Sequence, residues 1–241
     1  MPRNVPSILK KTWLITGASR GIGLEMVRQL LAAGETVIAT CRNPEKAEHL
    51  VTLSPPEETG KADLRVLALD VEKPDSIVKA ADSLKNTTID YLINNAGVLE
   101  GQHTGFTDLD FSSVLHSFKV NAVGPMQVTR AMLAMLQLSP KPVVVSITSK
   151  MSSIDDNKGG GYYAYRMSKS ALNMFNMSLS RDFKSMICVV MHPGWVRTEM
   201  GGANAPLTTS DSVSGMIKVI KSLTAEDSGK FIDYRGEKIA W

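Results

Sequence analysis

Short β-branched apolar runs alternate along the chain with longer amphipathic stretches. The runs TWLIT (12–16), TVIATC (36–41), LRVLAL (64–69), IDYLIN (89–94), VVVSIT (143–148), MICVVM (186–191) and KFIDY (230–234) predict strands. Most are nearly continuous in apolar residues, as expected of strands covered by helices on both faces. Between them, 22–34, 74–85, 109–138 and 163–183 carry helical patterns. Gly34 is placed to stop the first and Pro74-Asp75 to start the second. This rhythm predicts an α/β fold, a Rossmann-type doubly wound parallel sheet of about seven strands with helices on both faces. The stretches 54–61, 99–108 and 199–210 read as irregular, none of them as a domain linker. The expected organisation is a single domain over 1–241, without repeats.

Composition narrows the class. Of 241 residues, 43% are hydrophobic and 21% charged, proportions that fill a globular core. A net charge of +3 with no Lys/Arg-rich run argues against nucleic acid as a partner. Cys41 and Cys188 lie in apolar runs and read as reduced core residues. No apolar run approaches the ~18 residues of a membrane helix, and the first residues lack a signal-type apolar core. A cytoplasmic protein with no membrane partner is expected. His49, His103, His116 and His192 have no metal-ligand spacing, so no metal is expected. The methionines at helical spacings read as core or subunit contacts.

Chemistry enters with TGASRGIG (16–23), which follows the first predicted strand and opens the first helix. Gly17, Gly21 and Gly23 leave room for a tight turn that brings main-chain N–H groups and a helix N-terminus against a pyrophosphate. Beyond the second strand, an acid would select a ribose 2′-hydroxyl and a base a 2′-phosphate. No acid lies between Val37 and Asn43, whereas Arg42 ends that strand and Arg20 sits in the turn. Two guanidinium groups suit a phosphate dianion, so NADP(H) is the expected cofactor.

Over nearly its whole length the chain resembles the short-chain dehydrogenase/reductase family. The carriers, in the family's order, are TGASRGIG, LDV (69–71), NNAG (94–97), NAVG (121–124), a serine after the fifth strand, YRMSK (165–169) and PGWVRT (193–198). GGGYYAYRMSKSALN and HPGWVRTEMGG are similar in texture to the sniffer-like and C-factor-like carbonyl reductases of that family. The resemblance implies cofactor contacts from Gly17, Ser19, Arg20, Gly21, Ile22 and Gly23, and from Arg42. It also implies adenine contacts from Asp70 and Val71 and a cofactor lining from Asn94, Ala96 and Gly97. Pro193, Gly194, Val196 and Thr198 would hold the nicotinamide end, and Asn121 would hold a water next to Lys169. It further implies pairing through 109–138 and 163–183 into a homo-oligomer, dimer or tetramer.

Tyr162, Tyr163 and Tyr165 crowd together, and spacing separates them. Tyr165 and Lys169 lie four apart, on one helical face. Tyr163 meets Met167 at that spacing, and Tyr162 meets Arg166, which matches no family position. A phenol with an ordinary pKa near 10 is a poor acid at neutral pH, and a nearby ammonium should lower that value. Tyr165 would then donate a proton to a carbonyl oxygen as hydride arrives from NADPH, while Lys169 also holds the nicotinamide ribose. For the serine beside the tyrosine, the family's usual interval points to Ser152, but its usual place at a strand end points to Ser149. A three-residue insertion within IDDNKGGG (154–161) reconciles the two, and Ser149 is preferred. Residues 199–210 read as a mobile flap, with Trp195 in the pocket wall and His103 in a loop bordering the substrate. The reading is an NADPH-dependent carbonyl reductase acting on a small carbonyl or alcohol. Its alternatives are a dinucleotide-binding regulatory or signalling protein of the C-factor type and an enzyme of NAD-dependent alcohol oxidation, against which the basic pair Arg20 and Arg42 counts.

Overall fold

The computed structural model describes residues 10–53, 63–102 and 105–241. The seven strands are β1 (Thr12–Thr16), β2 (Thr36–Cys41), β3 (Asp63–Ala68), β4 (Tyr91–Asn94), β5 (Val143–Ile147), β6 (Ile187–His192) and β7 (Phe231–Asp233). They form one parallel sheet in the order β3-β2-β1-β4-β5-β6-β7. The order reverses between β1 and β4, and open α/β sheets bind ligands in the crevice at such a switch point.

The continuous apolar runs split by strand alternation into two cores. Trp13, Ile15, Val37, Val145 and Val189 face one side, packing with α1 (Gly21–Ala32) and α8 (Thr209–Ser222). Leu14, Ile38, Leu92, Val144 and Cys188 face the other, against α3 (Pro74–Ser83) and α5 (Gly124–Ala131). Each fully buried Leu, Ile or Val contributes about 1.5–3 kcal/mol, so these two layers dominate the cohesion of the sheet. Cys41 and Cys188 are buried, unpaired thiols on opposite faces. No helix among the described residues is long and apolar enough to cross a membrane.

Three local features depart from the expected pattern. The 109–138 stretch is not one helix. It runs as α4 (Phe111–Phe118), a wider π turn (Lys119–Val123), α5 and α6 (Leu133–Gln137). Pro125 has no N–H to continue the ladder, and Met132 sits at φ −90°, ψ 0°, outside helical geometry. The irregular 199–210 stretch ends at Thr208, whose side chain accepts from Asp211 N and starts α8; that helix and the short α2 (Glu48–Val51) were not expected. The predicted 163–183 helix is α7 (Tyr163–Asp182).

Beyond β7 the chain turns through Arg235 and Gly236 and returns antiparallel, with Ile239 N donating to Phe231 O at 2.9 Å. Trp241 packs its ring 5.5 Å from that of Phe231. Its carbonyl accepts from Asp155 N at 3.0 Å and from Ser153 Oγ at 3.3 Å. The returning segment thus covers the open sheet edge and ties it to the loop after β5.

Candidate functional site

The glycine turn is shaped by what it must approach. A Cβ on Gly17, itself at φ +67°, would stand 2.9 Å from Ala96 Cα, and one on Gly23 would stand 2.4 Å from Gly17 O. The turn therefore nests against the end of β4. Thr16 and Asn95 lock it there. Thr16 Oγ1 accepts from Asn95 N and Ala96 N, while Asn95 Nδ2 donates to Thr16 O at 2.9 Å and Gly17 O at 3.0 Å. Asn95 and Thr16 escaped the sequence reading, although the doubled asparagine of NNAG was the available signal. Asn94 points elsewhere: its side chain is buried and donates to Thr129 Oγ1 at 3.1 Å, leaving only main chain to line the crevice. Its neighbour Ala96 closes directly on Gly17.

Arg20 caps α1 with extended backbone and no side-chain cap, and no acid lies in the helix's first turn. The leading N–H groups and the positive end of the helix dipole suit a pyrophosphate. Ser19, Arg20, Lys46, Ala47, Glu48 and His49 line a cleft of about 290 Å³ beside this turn. Lys46 and His49 were missed because they follow β2 in a single 3-10 turn and the four-residue α2, both too short to carry a periodic pattern. Arg42 is exposed at the end of β2 but does not line that cleft. Arg20 is ion-paired with Glu199, both side chains well exposed. Further along, Asp70 accepts from Glu72 N at 3.1 Å and pairs with Lys73 at 3.4 Å, and Val71 is buried against Gly124. The donor chemistry and the close main-chain cradle fit a phosphorylated dinucleotide.

At the other end of the crevice, Tyr165 and Lys169 share one face of α7 and are 8% and 5% exposed. Lys169 Nζ lies 5.9 Å from the Tyr165 ring centre and donates to Ile147 O at 2.9 Å. Burial lowers the Lys169 ammonium to about 8. The expected lowering of the phenol does not hold in the chain by itself. Burial pushes Tyr165 up to about 12, opposed by a hydrogen bond with Ser149. Desolvation has this sign because the ion here is the phenolate, which a dry site disfavours. At neutral pH Tyr165 therefore holds its proton.

Two serines compete for the site, and they face opposite ways. Ser149 follows Thr148 at the end of β5, meets Tyr165, and accepts from Met151 N at 3.2 Å. Ser152 turns inward, donating to Ser149 O at 2.6 Å and accepting from Asn173 Nδ2 at 2.8 Å. The loop that separates them from α7 ends in Gly160, Gly161 and Tyr162, all left-handed, over open space on the glycine side. Asn121, fully buried in the π turn, spends its amide on Val98 N, Val98 O and Ser168 Oγ. A Cβ on Gly97 would reach 3.0 Å from Asn121 Oδ1 and 3.2 Å from Lys169 Nζ, so this corner is closely packed. Tyr163 meets Phe106 with ring centres 5.5 Å apart, and Arg166 donates to Met151 O at 2.9 Å.

The segment after β6 is built on its own contacts. Pro193 O accepts from Ser212 Oγ at 2.6 Å, and the left-handed Gly194 packs on Leu207 and Tyr234. Val196 bridges Leu207, while Thr198 Oγ1 accepts from Gly201 N at 3.0 Å and its methyl faces Gly21. Trp195 donates to Gly201 O at 2.8 Å and is 58% exposed. The stretch read as a flap thus has internal order and lies against the glycine turn. Ile22 and Ser19 are partly exposed in that turn. His103 lies outside the described residues.

Comparison with known proteins agrees with this geometry. A family model described as short chain dehydrogenase matches residues 11–206. The C-signal protein of Myxococcus xanthus is 46% identical over 155 residues, covering 64% of this chain and 93% of its own. The NADPH-bound carbonyl reductase from chicken fatty liver is 34% identical with a TM-score of 0.88, over 96% of this chain and 99% of that one. The carbonyl reductase Sniffer of D. melanogaster is 32% identical with a TM-score of 0.88, over 96% and 100%.

Proposed function

The chain belongs to the short chain dehydrogenases, and from that premise we propose that it is an NADPH-dependent carbonyl reductase. The observation that carries the proposal is the buried Tyr165, in contact with Ser149 and one helical turn from Lys169. When bound, the reduced nicotinamide supplies hydride to the carbonyl carbon. Tyr165 supplies the proton to the carbonyl oxygen, and its phenol carries that proton at neutral pH. Ser149 holds the same oxygen and the tyrosine hydroxyl in one geometry. Lys169 stabilises the phenolate left behind and binds the nicotinamide ribose. Asn121 fixes the π turn and the loop at Val98; a water beside Lys169 is met by its main chain, since its side chain is already used.

Arg20, Lys46 and His49 around the cleft support binding of a 2′-phosphate, and Arg42 stands at its approach. Gly17, Ser19, Gly21, Ile22 and Gly23 hold the pyrophosphate, Asp70 and Val71 the adenine, and Asn94, Ala96 and Gly97 the central crevice. Pro193, Gly194, Val196 and Thr198 hold the nicotinamide end. Exposed Phe111 and Leu115 on α4, with Met167 and Met174 on α7, support assembly of a cytoplasmic homo-oligomer through these helices. Oxidation of NADPH against a panel of aldehydes, quinones and diketones tests the reading. Turnover by the wild type, lost in Tyr165→Phe with NADPH binding retained, supports it. The likeness to C-signal favours a second reading, a dinucleotide-binding signalling protein. Tight NADPH binding with no turnover of any carbonyl would select that one.

A further inference from the structure

A second cavity, of about 380 Å³, lies at the same edge of the sheet, beyond the C-terminal ends of β6 and β7. Its charged and polar lining includes Lys150, Asp156, His192, Asp233, Arg235, Glu237 and Lys238. Its wall includes Lys150, the chain neighbour of Ser149, and Gly194, from the segment proposed to hold the nicotinamide end.

Its charges are not equally free. Arg235 is the most engaged, pairing with Asp233 at 3.1 Å and Glu237 at 2.8 Å. Asp233 also accepts from the main-chain N–H groups of Arg235 and Glu237. Lys150 meets Asp156 only at 3.5 Å, with both side chains about half exposed, a pairing that holds neither strongly. Lys238 has no carboxylate within ion-pair distance among the described residues. His192 Nδ1 is buried and has no hydrogen-bond partner among those residues. Burial lowers the His192 imidazole to about 4, so the ring is neutral and retains one N–H to give. Among the described residues the groups left over are therefore one free cation, one cation loosely held by Asp156, and a neutral imidazole, while the carboxylates of Asp233 and Glu237 are both engaged by Arg235. That set is complementary to a single carboxylate.

We propose that this cavity is a carboxylate subsite, and that the substrate is a carbonyl compound carrying a carboxylate at the end remote from its carbonyl. Lys238 and Lys150 hold the carboxylate, His192 orients it, and the carbonyl reaches Tyr165 and Ser149. The substrate class rests on the reductase reading, whereas the carboxylate site can be tested without it.

The kinetic test compares aldehydes bearing a terminal carboxylate, in a series of chain lengths, with their methyl esters. At the fitting length the wild type should show a KM about tenfold lower for the acid, as expected of a charge-assisted contact. Lys238→Gln should erase that difference while leaving the ester's KM and kcat unchanged. Equal KM values for acid and ester at every length, with Tyr165-dependent turnover present, would overturn the subsite and leave the reductase reading intact. The binding test titrates glutarate into the NADPH-loaded protein and follows the His192 imidazole by NMR. A saturable shift that Lys238→Gln abolishes supports the site even when no aldehyde turns over. No saturable shift overturns it.

Discussion

Replacing Ser149 or Ser152 by alanine should damage different properties of this protein. Ser149 contributes a contact to the Tyr165 hydroxyl and a cap to Met151 N. Losing the cap costs about 1 kcal/mol, whereas removing one donor aimed at a developing oxyanion costs about 10²–10³ in turnover. Ser152 is 3% exposed and joins Ser149 O to Asn173 Nδ2. Its loss leaves Asn173 Nδ2 without that partner in a dry site, at about 1–3 kcal/mol, while Ser149 O keeps the main-chain N–H of residue 152 at 2.9 Å. For a chain of this size, each kcal/mol lowers the melting temperature by about 2–4 °C. Ser152→Ala should therefore melt roughly 2–12 °C lower and keep most of its kcat, provided it is assayed well below its transition. Ser149→Ala should melt within a few degrees of wild type and lose most of its turnover, with NADPH affinity retained. The assays are NADPH oxidation at saturating cofactor and a thermal melt on the same preparations. A hundredfold loss of turnover in Ser152→Ala with an unchanged melt, alongside an active Ser149→Ala, would refute the assignment.

The remaining predictions concern charge. Lys46→Glu should weaken NADPH binding by about tenfold, as expected for one charge-assisted phosphate contact, and leave NADH binding unchanged; equal effects on both cofactors would remove Lys46 from the phosphate site. Glu199→Gln frees Arg20 from its ion pair and should tighten NADPH binding by a few-fold, since exposed pairs contribute at most about 1 kcal/mol; calorimetry reads it, and weaker binding would show Glu199 to be a positive contributor. Burial holds Lys169 near 8, so kcat/KM for reduction should fall as pH rises through that value, with the limb displaced upward in Lys169→Arg; a flat profile to pH 10 would separate Lys169 from the proton step. His116 meets Glu100 at 2.7 Å and Glu72 at 3.2 Å, and the hydrogen bond to Glu100 is the main reason its pKa lies above the ordinary 6.5, against a smaller opposing desolvation. The clamp's contribution should be full below that ordinary value and vanish as pH rises through the raised one. NMR titration should show the His116 midpoint fall in Glu100→Gln, and an unchanged midpoint would sink the clamp.

The sheet was legible in the sequence because strands and their two-faced burial follow from local alternation. Trp13 and Leu14 go to opposite cores simply because they are adjacent in a strand. The spacing of Tyr165 and Lys169 and the glycine turn after β1 were legible for the same reason, since each is a relation over one or two turns of chain. The breaks at Lys119–Val123 and Met132 were less so, because the apolar periodicity continues through them.

Tertiary structure decided the rest. Arg20 and Glu199 lie 179 residues apart in the chain, and Lys46 shares a cleft with Arg20 only because β1 and β2 lie side by side. No periodicity encodes which of two asparagines turns to the glycine loop or which of two serines meets the phenol. Those choices depend on Thr129 and Asn173, carried on separate helices. The phenol's acidity was misjudged from spacing because a nearby ammonium is a local feature, whereas desolvation sums over every neighbour the fold supplies. Residue types and their intervals determined which groups are available for hydride chemistry; the packing of distant segments decided which of them are buried, paired or free.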